Sequence, residues 1–253
     1  RGRSRTRSGK LLKSQIPVKT FAEWDDGSPG FVEVDLVSHD GGNTRGDFCY
    51  TLTLTDVATG WTECRTVRNR ARQWTFEALV KLRESLPFPL LGLDSDNGSE
   101  FINHHLVEYC RTEGITFTRS RPYRKNDNCF VEQKNNVVVR SWVAYPRFDT
   151  SRERAWMNRL WELHRSWYNF FVPQMKLASK QRDGSKVRRK YDTPSPPYQR
   201  ILSSKVLDDA GQAALQQTYE ARNPAQLHRE MLDITDQLWS YAASKDRQYQ
   251  DDR

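Results

Sequence analysis

The sequence predicts an α/β fold in which a mixed five-stranded sheet is flanked by helices and followed by a helical C-terminal extension. Three observations support this fold class. Three strand-like runs follow one another within residues 31–67. Two more such runs alternate with helical patterns as far as residue 118. Every later periodic stretch has the apolar spacing of a helix rather than the alternation of a strand.

The five predicted strands are short runs rich in β-branched and aromatic residues, bounded by turn signals. Short connections, including the turn Ala58-Thr-Gly60, join the first three, so we expect an antiparallel meander. The fourth run follows the breaker Pro87-Phe-Pro89. The predicted strands are residues 31–38, 47–55, 61–67, 89–93 and 115–118.

Helices are predicted where apolar residues recur at three- to four-residue spacing. In one of them Trp156, Leu160, Leu163 and Trp167 fall on a single face. An aromatic stripe can stack on nucleic-acid bases, but at this spacing we interpret it as core packing. The predicted helices are residues 73–86, 103–113, 129–145, 151–171, 207–220 and 225–244.

Changes in composition divide the chain into four segments. Residues 1–30 are predicted to form a basic N-terminal arm and residues 31–172 the core. Residues 173–203 read as a basic, proline-rich linker, and residues 204–253 as the helical C-terminal extension. Because the chain begins with Arg1 rather than Met, we expect it to be a piece of a longer protein.

Positive charge is concentrated outside the predicted core. The chain carries 40 Lys and Arg against 32 Asp and Glu, a net charge of +8. Residues 1–20 contain seven Lys or Arg and no acid, and residues 174–192 contain seven with two acids. Solvated tails would give the same pattern, but such a basic balance favours a polyanionic partner.

Several protein classes are disfavoured by the sequence. The four cysteines, Cys49, Cys64, Cys110 and Cys129, form no zinc-type pair, and scattered cysteines suit a reducing compartment. No run approaches the roughly 18 apolar residues of a membrane span. No signal-peptide pattern is present. We therefore predict a cytoplasmic protein with no membrane partner and no small-molecule substrate.

Three carboxylates on separate elements are the strongest functional signal. Asp35 interrupts an apolar strand, Asp96 follows another strand at the turn Asp96-Asn-Gly98, and Glu132 lies in the first turn of a helix. Oxygen ligands of this kind suit hard divalent cations. Two such cations are a common device for in-line phosphoryl transfer. The residues alone therefore predict metal-dependent phosphoryl transfer.

Other acids compete for this site. Asp94 lies two residues before Asp96, so on a regular strand both point to one face, and Asp94 is the second choice. Asp56 precedes a turn and is interpreted as a turn residue. Glu33 shares a face with Asp35 but has no assigned role. Glu132 taken alone would be interpreted as a helix-capping acid.

The trio and the motifs around it resemble the DDE catalytic core of retroviral integrases and bacterial insertion-sequence transposases. The motifs are Leu93-Asp-Ser-Asp-Asn-Gly-Ser-Glu-Phe101 and Arg121-Pro-Tyr-Arg-Lys-Asn-Asp-Asn128, followed by Val131-Glu-Gln-Lys-Asn135. In this sequence 35 residues lie between Asp96 and Glu132. The resemblance covers residues 31–172. It continues into residues 169–202 as in insertion-sequence transposases, the closer of the two groups.

The resemblance implies an RNase H-like fold and two Mg²⁺ ions, with Mn²⁺ as a possible substitute. It implies that Asp35 bridges both ions, that Asp96 holds one and that Glu132 holds the other. The implied activity is cleavage of DNA at element ends and strand transfer into target DNA, as in transposition, integration and recombination. The resemblance also implies that the protein forms a homo-oligomer on DNA and is located at the bacterial nucleoid. A metal-dependent nuclease without strand transfer and a non-catalytic DNA-binding relative are the alternatives.

Basic residues near the trio and in the linker are predicted to contact DNA phosphates, and binding should weaken steeply with salt. One group belongs to the loop before the catalytic helix, and another to the basic linker. On the helix itself, Asn135 matches a family position, while Arg140 follows only from helical spacing. The predicted DNA contacts are Arg119, Arg121, Arg124, Lys125, Asn135, Arg140, Lys186, Arg188, Arg189 and Lys190.

Overall fold

A mixed five-stranded sheet lies at the centre of the molecule, which is described by a computed structural model for residues 10–18, 27–121 and 129–251. The strand order is β3-β2-β1-β4-β5. Strands β1, β2 and β3 pair antiparallel, whereas β4 and β5 run parallel to β1. The predicted meander and mixed sheet are therefore confirmed. The strands are β1 Phe31–Ser38, β2 Tyr50–Asp56, β3 Thr62–Val67, β4 Gly92–Ser95 and β5 Thr116–Arg119.

Helices cover the sheet and follow the predicted order. A capping box between Thr150 and Glu153 fixes the start of the longest core helix at the predicted residue. Two helices were not predicted, at the N-terminus and just after residue 196. The helices are α1 Lys10–Gln15, α2 Arg72–Glu84, α3 His104–Thr112, α4 Cys129–Lys134, α5 Ser141–Val143, α6 Ser151–Phe171, α7 Pro197–Ser204, α8 Asp209–Glu220 and α9 Pro224–Asp251.

The helix predicted as one piece over residues 129–145 is interrupted. Between α4 and α5, Asn135–Arg140 forms a π-helical segment. Such a segment carries one extra residue per turn and is frequent at functional sites. Val138 and Val139 lie within this segment and are both buried. The helix predicted over residues 129–145 is therefore present as three successive helical segments.

The C-terminal extension packs onto the core. Helix α9 lies against α6, and Met231 and Leu238 belong to the same apolar cluster as Met157 and Leu160. The ammonium group of Lys245 is buried and forms ion pairs with the carboxylates of the α6 cap region, at 2.8 Å each. The aromatic stripe of α6 also faces this cluster, as predicted.

The segment predicted as a linker is folded for most of its length. Strands β6 Leu177–Asp183 and β7 Lys186–Tyr191 form an antiparallel hairpin around Gly184, which has a positive φ of 58°. Helix α7 then begins within the predicted linker. The hairpin was missed because its residues are exposed on both faces, so no apolar alternation marks it.

Part of the predicted N-terminal arm also packs onto the core. Leu12 and Ile16 are buried in the main apolar cluster beside the sheet. The N–H of Arg119 donates to the Pro17 carbonyl at 3.0 Å. Within the described segments, no helix is long and apolar enough to cross a membrane.

Candidate active site

The sheet brings Asp35 and Asp96 side by side. Strands β1 and β4 are parallel, and the last residues that pair between them are Val34 and Ser95. Asp35 follows Val34 on β1, and Asp96 follows Ser95 at the end of β4. Both side chains are partly exposed, although β4 and residues 32–34 of β1 are buried. This edge follows the carboxyl ends of the parallel strands, where ligands collect in open α/β sheets.

A tight turn fixes the backbone after Asp96. The N–H of Gly98 donates to Asp96 Oδ1 at 2.8 Å. The side chain of Asn97 donates to the Ser120 carbonyl at 2.9 Å, which ties this turn to the end of β5. The Asp-Asn-Gly motif is thus a local turn that holds one carboxylate oxygen of Asp96 by the main chain.

Helix α4 carries Glu132 over the same sheet edge. The side-chain amide of Asn135 donates to Asp35 Oδ2 at 2.6 Å. The N–H groups of Phe130 and Val131 donate to Glu33 Oε2 at 3.0 and 3.1 Å. The Glu132 side chain itself is exposed. The helix is therefore attached to β1 on both sides of Glu132.

Asp35 lies within electrostatic range of both Asp96 and Glu132. Burial, opposed by hydrogen bonds and reinforced by the charges of Asp96 and Glu132, raises the pKa of Asp35 to about 6. A carboxylate surrounded by like charges is costly unless a cation compensates it. The three predicted members of the trio are thus brought together at one partly open edge.

The side chains at this edge fit a divalent cation in charge and donor type. They offer carboxylate oxygens, the preferred ligands of Mg²⁺ and Ca²⁺. The buried amide oxygen Oδ1 of Asn135 has no hydrogen-bond partner. Across residues 10–18, 27–121 and 129–251, however, no three His, Cys, Asp or Glu side chains are already arranged to hold a metal ion. Binding would therefore require movement of a side chain, most simply of the exposed Glu132.

The competing acids have other partners. Asp94 is fully buried within β4, and its Oδ1 accepts the Thr118 hydroxyl at 2.6 Å. Asp56 accepts the N–H groups of Gly30 and Thr59 at 2.8 Å and so closes two loops. These contacts assign structural roles to Asp94 and Asp56 and favour Asp96 as the site residue.

The predicted DNA contacts near the trio differ in their surroundings. The Arg119 guanidinium donates to the Lys13 and Ile16 carbonyls, each at 3.1 Å. The Arg140 guanidinium donates to the Ser38 carbonyl at 2.7 Å and the Ala144 carbonyl at 2.9 Å. Arg121 is exposed. Arg124 and Lys125 lie outside the described residues.

The four predicted contacts in the hairpin are all on β7, and their side chains are exposed. Among the described residues, no ion pair involves Lys186, Arg188, Arg189 or Lys190. Every DNA contact named from the sequence stays a prediction.

The sequence did not indicate how the hairpin is connected to α4, the helix that carries Glu132. Lys134, two residues after Glu132, donates to the Tyr168 hydroxyl at 3.0 Å and to the Gln174 side-chain oxygen. Gln174 pairs with Ser195 through both main-chain hydrogen bonds at the base of the hairpin. Burial, with a smaller effect of nearby Arg200 and Lys176, lowers the pKa of Lys134 to about 8.

The strand order and the helices on either side of the sheet define the RNase H-like class of α/β proteins. The three carboxylates lie on β1, directly after β4 and on α4, the helix that follows β5. Residues 25–125 match the family described as the integrase core domain. This match confirms the predicted resemblance to the integrase and transposase superfamily over residues 25–125. The matched region includes Asp35 and Asp96 and ends before Glu132.

One similar protein is the uncharacterized protein y4rM of Sinorhizobium fredii (strain NBRC 101917 / NGR234). It is 45% identical over 202 residues, which cover 79% of this chain and 58% of y4rM. The chain thus spans a little over half the length of this relative.

Two solved structures are similar at 17% identity. The catalytic core domain of BIV integrase has a TM-score of 0.44 and covers 70% of this chain and 95% of that one. The simian T-cell lymphotropic virus intasome in complex with PP2A regulatory subunit B56 gamma has a TM-score of 0.42 and covers 51% and 44%. With both TM-scores below 0.5, the fold assignment rests on the strand order of this chain.

Proposed function

We propose that this chain is the catalytic core of a transposase or integrase that cleaves DNA strands and joins them to target DNA with the help of divalent metal ions. The observation that supports this best is the convergence of Asp35, Asp96 and Glu132 at one sheet edge, where burial and, to a smaller extent, the charges of Asp96 and Glu132 raise the pKa of Asp35. The integrase core domain match over residues 25–125 supports the same class of reaction.

Each carboxylate has a separate proposed role. Asp35 would hold two Mg²⁺ ions, with Mn²⁺ as a substitute, while Asp96 would hold one of them and Glu132 the other. Bound Mg²⁺ would supply charge stabilisation at the attacking and leaving oxygens of an in-line displacement. The chain contributes orientation: Asn135 fixes one oxygen of Asp35, and the turn at Gly98 fixes one oxygen of Asp96.

The hairpin is the proposed main contact with the DNA backbone. Its strands extend roughly 20 Å, at about 3.3 Å per residue. Lys180 lies directly opposite Arg189, an arrangement that is unfavourable unless an anion compensates it. On β7, the side chain of Arg189 points to one face of the hairpin, and those of Lys186, Arg188 and Lys190 point to the other. Both faces of the hairpin therefore carry positive charge. Phosphates on both sides of a DNA groove would match this distribution.

Assembly and location are also part of the proposal. Joining two element ends to a target requires at least two active sites, so we propose a homo-oligomer formed on DNA. A place beside the nucleoid in a bacterial cytoplasm would give access to both the element and its target.

Nicking of supercoiled plasmid DNA in Mg²⁺ or Mn²⁺ tests the activity. Asp96→Asn should reduce nicking by about 10³-fold or more, because metal stabilisation of the transition state is worth several kcal/mol. DNA binding should be nearly unchanged. Asp209→Asn, the same change at an exposed acid of α8, is the matched control and should nick like the unmodified chain. Full nicking by Asp96→Asn would refute the site.

A donor duplex with a pre-formed 3′-OH separates the proposed function from its alternatives. Joining of this donor to plasmid DNA is expected. Nicking without joining would identify a nuclease, and DNA binding with neither reaction would identify a non-catalytic relative.

A further inference from the structure

We propose that Glu33 is a positioning residue that sets the catalytic helix against the strand carrying Asp35, and thereby fixes the distance between Asp35 and Glu132. The inference rests on the proposed function, because it concerns the same trio. Glu33 was only a second acid on the face of Asp35 in the sequence, with no role assigned to it.

The contacts of Glu33 are those of a helix anchor. Its side chain is fully buried in β1. One oxygen, Oε2, accepts the N–H groups of both Phe130 and Val131, at 3.0 and 3.1 Å. These N–H groups belong to the first turn of α4, where main-chain donors have no partner within the helix. A carboxylate at this end is also favoured by the helix dipole.

The burial of Glu33 argues against a simpler explanation, in which Glu33 would be a fourth metal ligand. A ligand at this edge must offer an oxygen that an ion can reach. Oε2 of Glu33 already accepts two hydrogen bonds, and the side chain has no exposed surface. Its nearest neighbour across the β1–β4 pairing is Asp94, which is also fully buried. Glu33 therefore acts on the site through the helix.

The positions of the contacts explain why Glu132 depends on them. Glu33 binds residues 130 and 131, just before Glu132, and Asp35 accepts the amide of Asn135, just after it. Both connections lead to β1, from two residues on the same face of the strand. Helix α4 continues directly into the π-helical segment, so the main-chain donors of its first turn depend on acceptors from outside the helix. Without Glu33, Glu132 would be held from one side only.

The test is the apparent Mg²⁺ affinity, measured from the Mg²⁺-dependent rise in melting temperature of the whole chain. Glu33→Ala should weaken this affinity about 10- to 100-fold, as is usual when a residue that orients a metal ligand is lost. Glu33→Gln keeps an acceptor oxygen but loses the charge, so it should recover part of the affinity.

Glu63 supplies the matched control. It is also a buried glutamate, only 2% exposed, on the neighbouring part of the sheet. Its partners are Trp61 at 2.8 Å and Arg165 at 2.6 Å, and neither belongs to the catalytic helix. Glu63→Ala should lower the melting temperature without changing the Mg²⁺ affinity. An equal loss of Mg²⁺ affinity in the Glu63 and Glu33 variants would overturn the inference, since general destabilisation would then explain both.

The outcomes also separate this inference from the proposed function. If Asp35→Asn retains the Mg²⁺-dependent rise and full nicking, the proposed metal site is wrong. If Asp35→Asn loses both but Glu33→Ala binds Mg²⁺ like the unmodified chain, only the role of Glu33 is wrong. Should Glu33→Ala fail to fold, Glu33→Gln decides: unchanged Mg²⁺ affinity in that variant would overturn the inference.

Discussion

The sheet edge that carries Asp35 and Asp96, here called the catalytic edge, and the basic hairpin β6–β7 are built in opposite ways. The edge joins β1, β4 and α4 through specific hydrogen bonds, and its carboxylates lie beside fully buried residues. The hairpin exposes residues on both faces and has no side chain in an apolar cluster. Metal ions need ligands held to within fractions of an ångström, whereas phosphate attraction needs mainly charge. The difference is the one that the proposed division between metal-dependent chemistry and DNA binding requires.

The two regions are nevertheless connected. Lys134 on the catalytic helix contacts Gln174, and the ion pair between Arg200 and Asp192, at 2.6 Å, closes the base of the hairpin. The guanidinium of Arg200 also donates to the Gln174 carbonyl at 2.7 Å. This base is partly buried, in contrast to the exposed strands it supports. The hairpin is thus held at a defined place beside the site although its strands extend into solvent.

The largest expected effect comes from removing charge from the hairpin. Changing Lys186, Arg188, Arg189 and Lys190 to Gln should weaken binding to duplex DNA about 100-fold or more near 100 mM salt. The slope of log affinity against log salt should fall by about 3 to 4, close to one unit per lost phosphate contact. Titrations by fluorescence anisotropy at several salt concentrations measure both quantities.

A control of equal charge accompanies this variant. Changing the exposed cations Lys81, Arg111, Arg159 and Arg229 to Gln removes the same charge from four helices. If the control loses as much affinity as the hairpin variant, net charge rather than the hairpin governs binding. The Mg²⁺-dependent stabilisation should be the same in both variants, because neither touches the catalytic edge.

An intermediate effect is expected at the catalytic edge, as a dependence of stability on pH. The folded pKa of Asp35, about 6, lies above its ordinary value of 3.8, so the folded chain binds more protons between these values. Without metal, the stability contributed by this group is present below pH 4 and is lost as pH rises through 6. Asp35→Asn cannot titrate, so it should be more stable than the unmodified chain by about 1–3 kcal/mol at pH 7.5.

Urea unfolding of the two chains at pH 4 and pH 7.5 without metal measures this difference. The gain should be much smaller at pH 4, and Mg²⁺ should remove it at pH 7.5 by stabilising only the unmodified chain. A gain of the same size at both pH values would mean that folding does not raise the pKa of Asp35.

The contrast between the two regions also explains what the sequence could predict. Asp35, Asp96 and Glu132 could be named as site candidates because acids in apolar runs are unusual and because their spacing resembles a known family. Glu33 was not, because nothing in a strand sequence shows which helix terminus its side chain reaches. The hairpin was missed for a different reason: prediction from sequence relies on burial, and a hairpin exposed on both faces has no apolar pattern.

The smallest expected effect concerns single residues of the hairpin, and it separates phosphate attraction from base recognition. Arg188→Gln should lower the salt slope by about 1 and weaken binding equally for duplexes of different sequence, because a phosphate contact carries no sequence information. Arg229→Gln on α9 should leave both quantities unchanged. A loss confined to one duplex sequence would instead place Arg188 against a base edge. The hairpin would then read the DNA as well as hold it, and its position beside the catalytic helix would help to choose the site of cleavage.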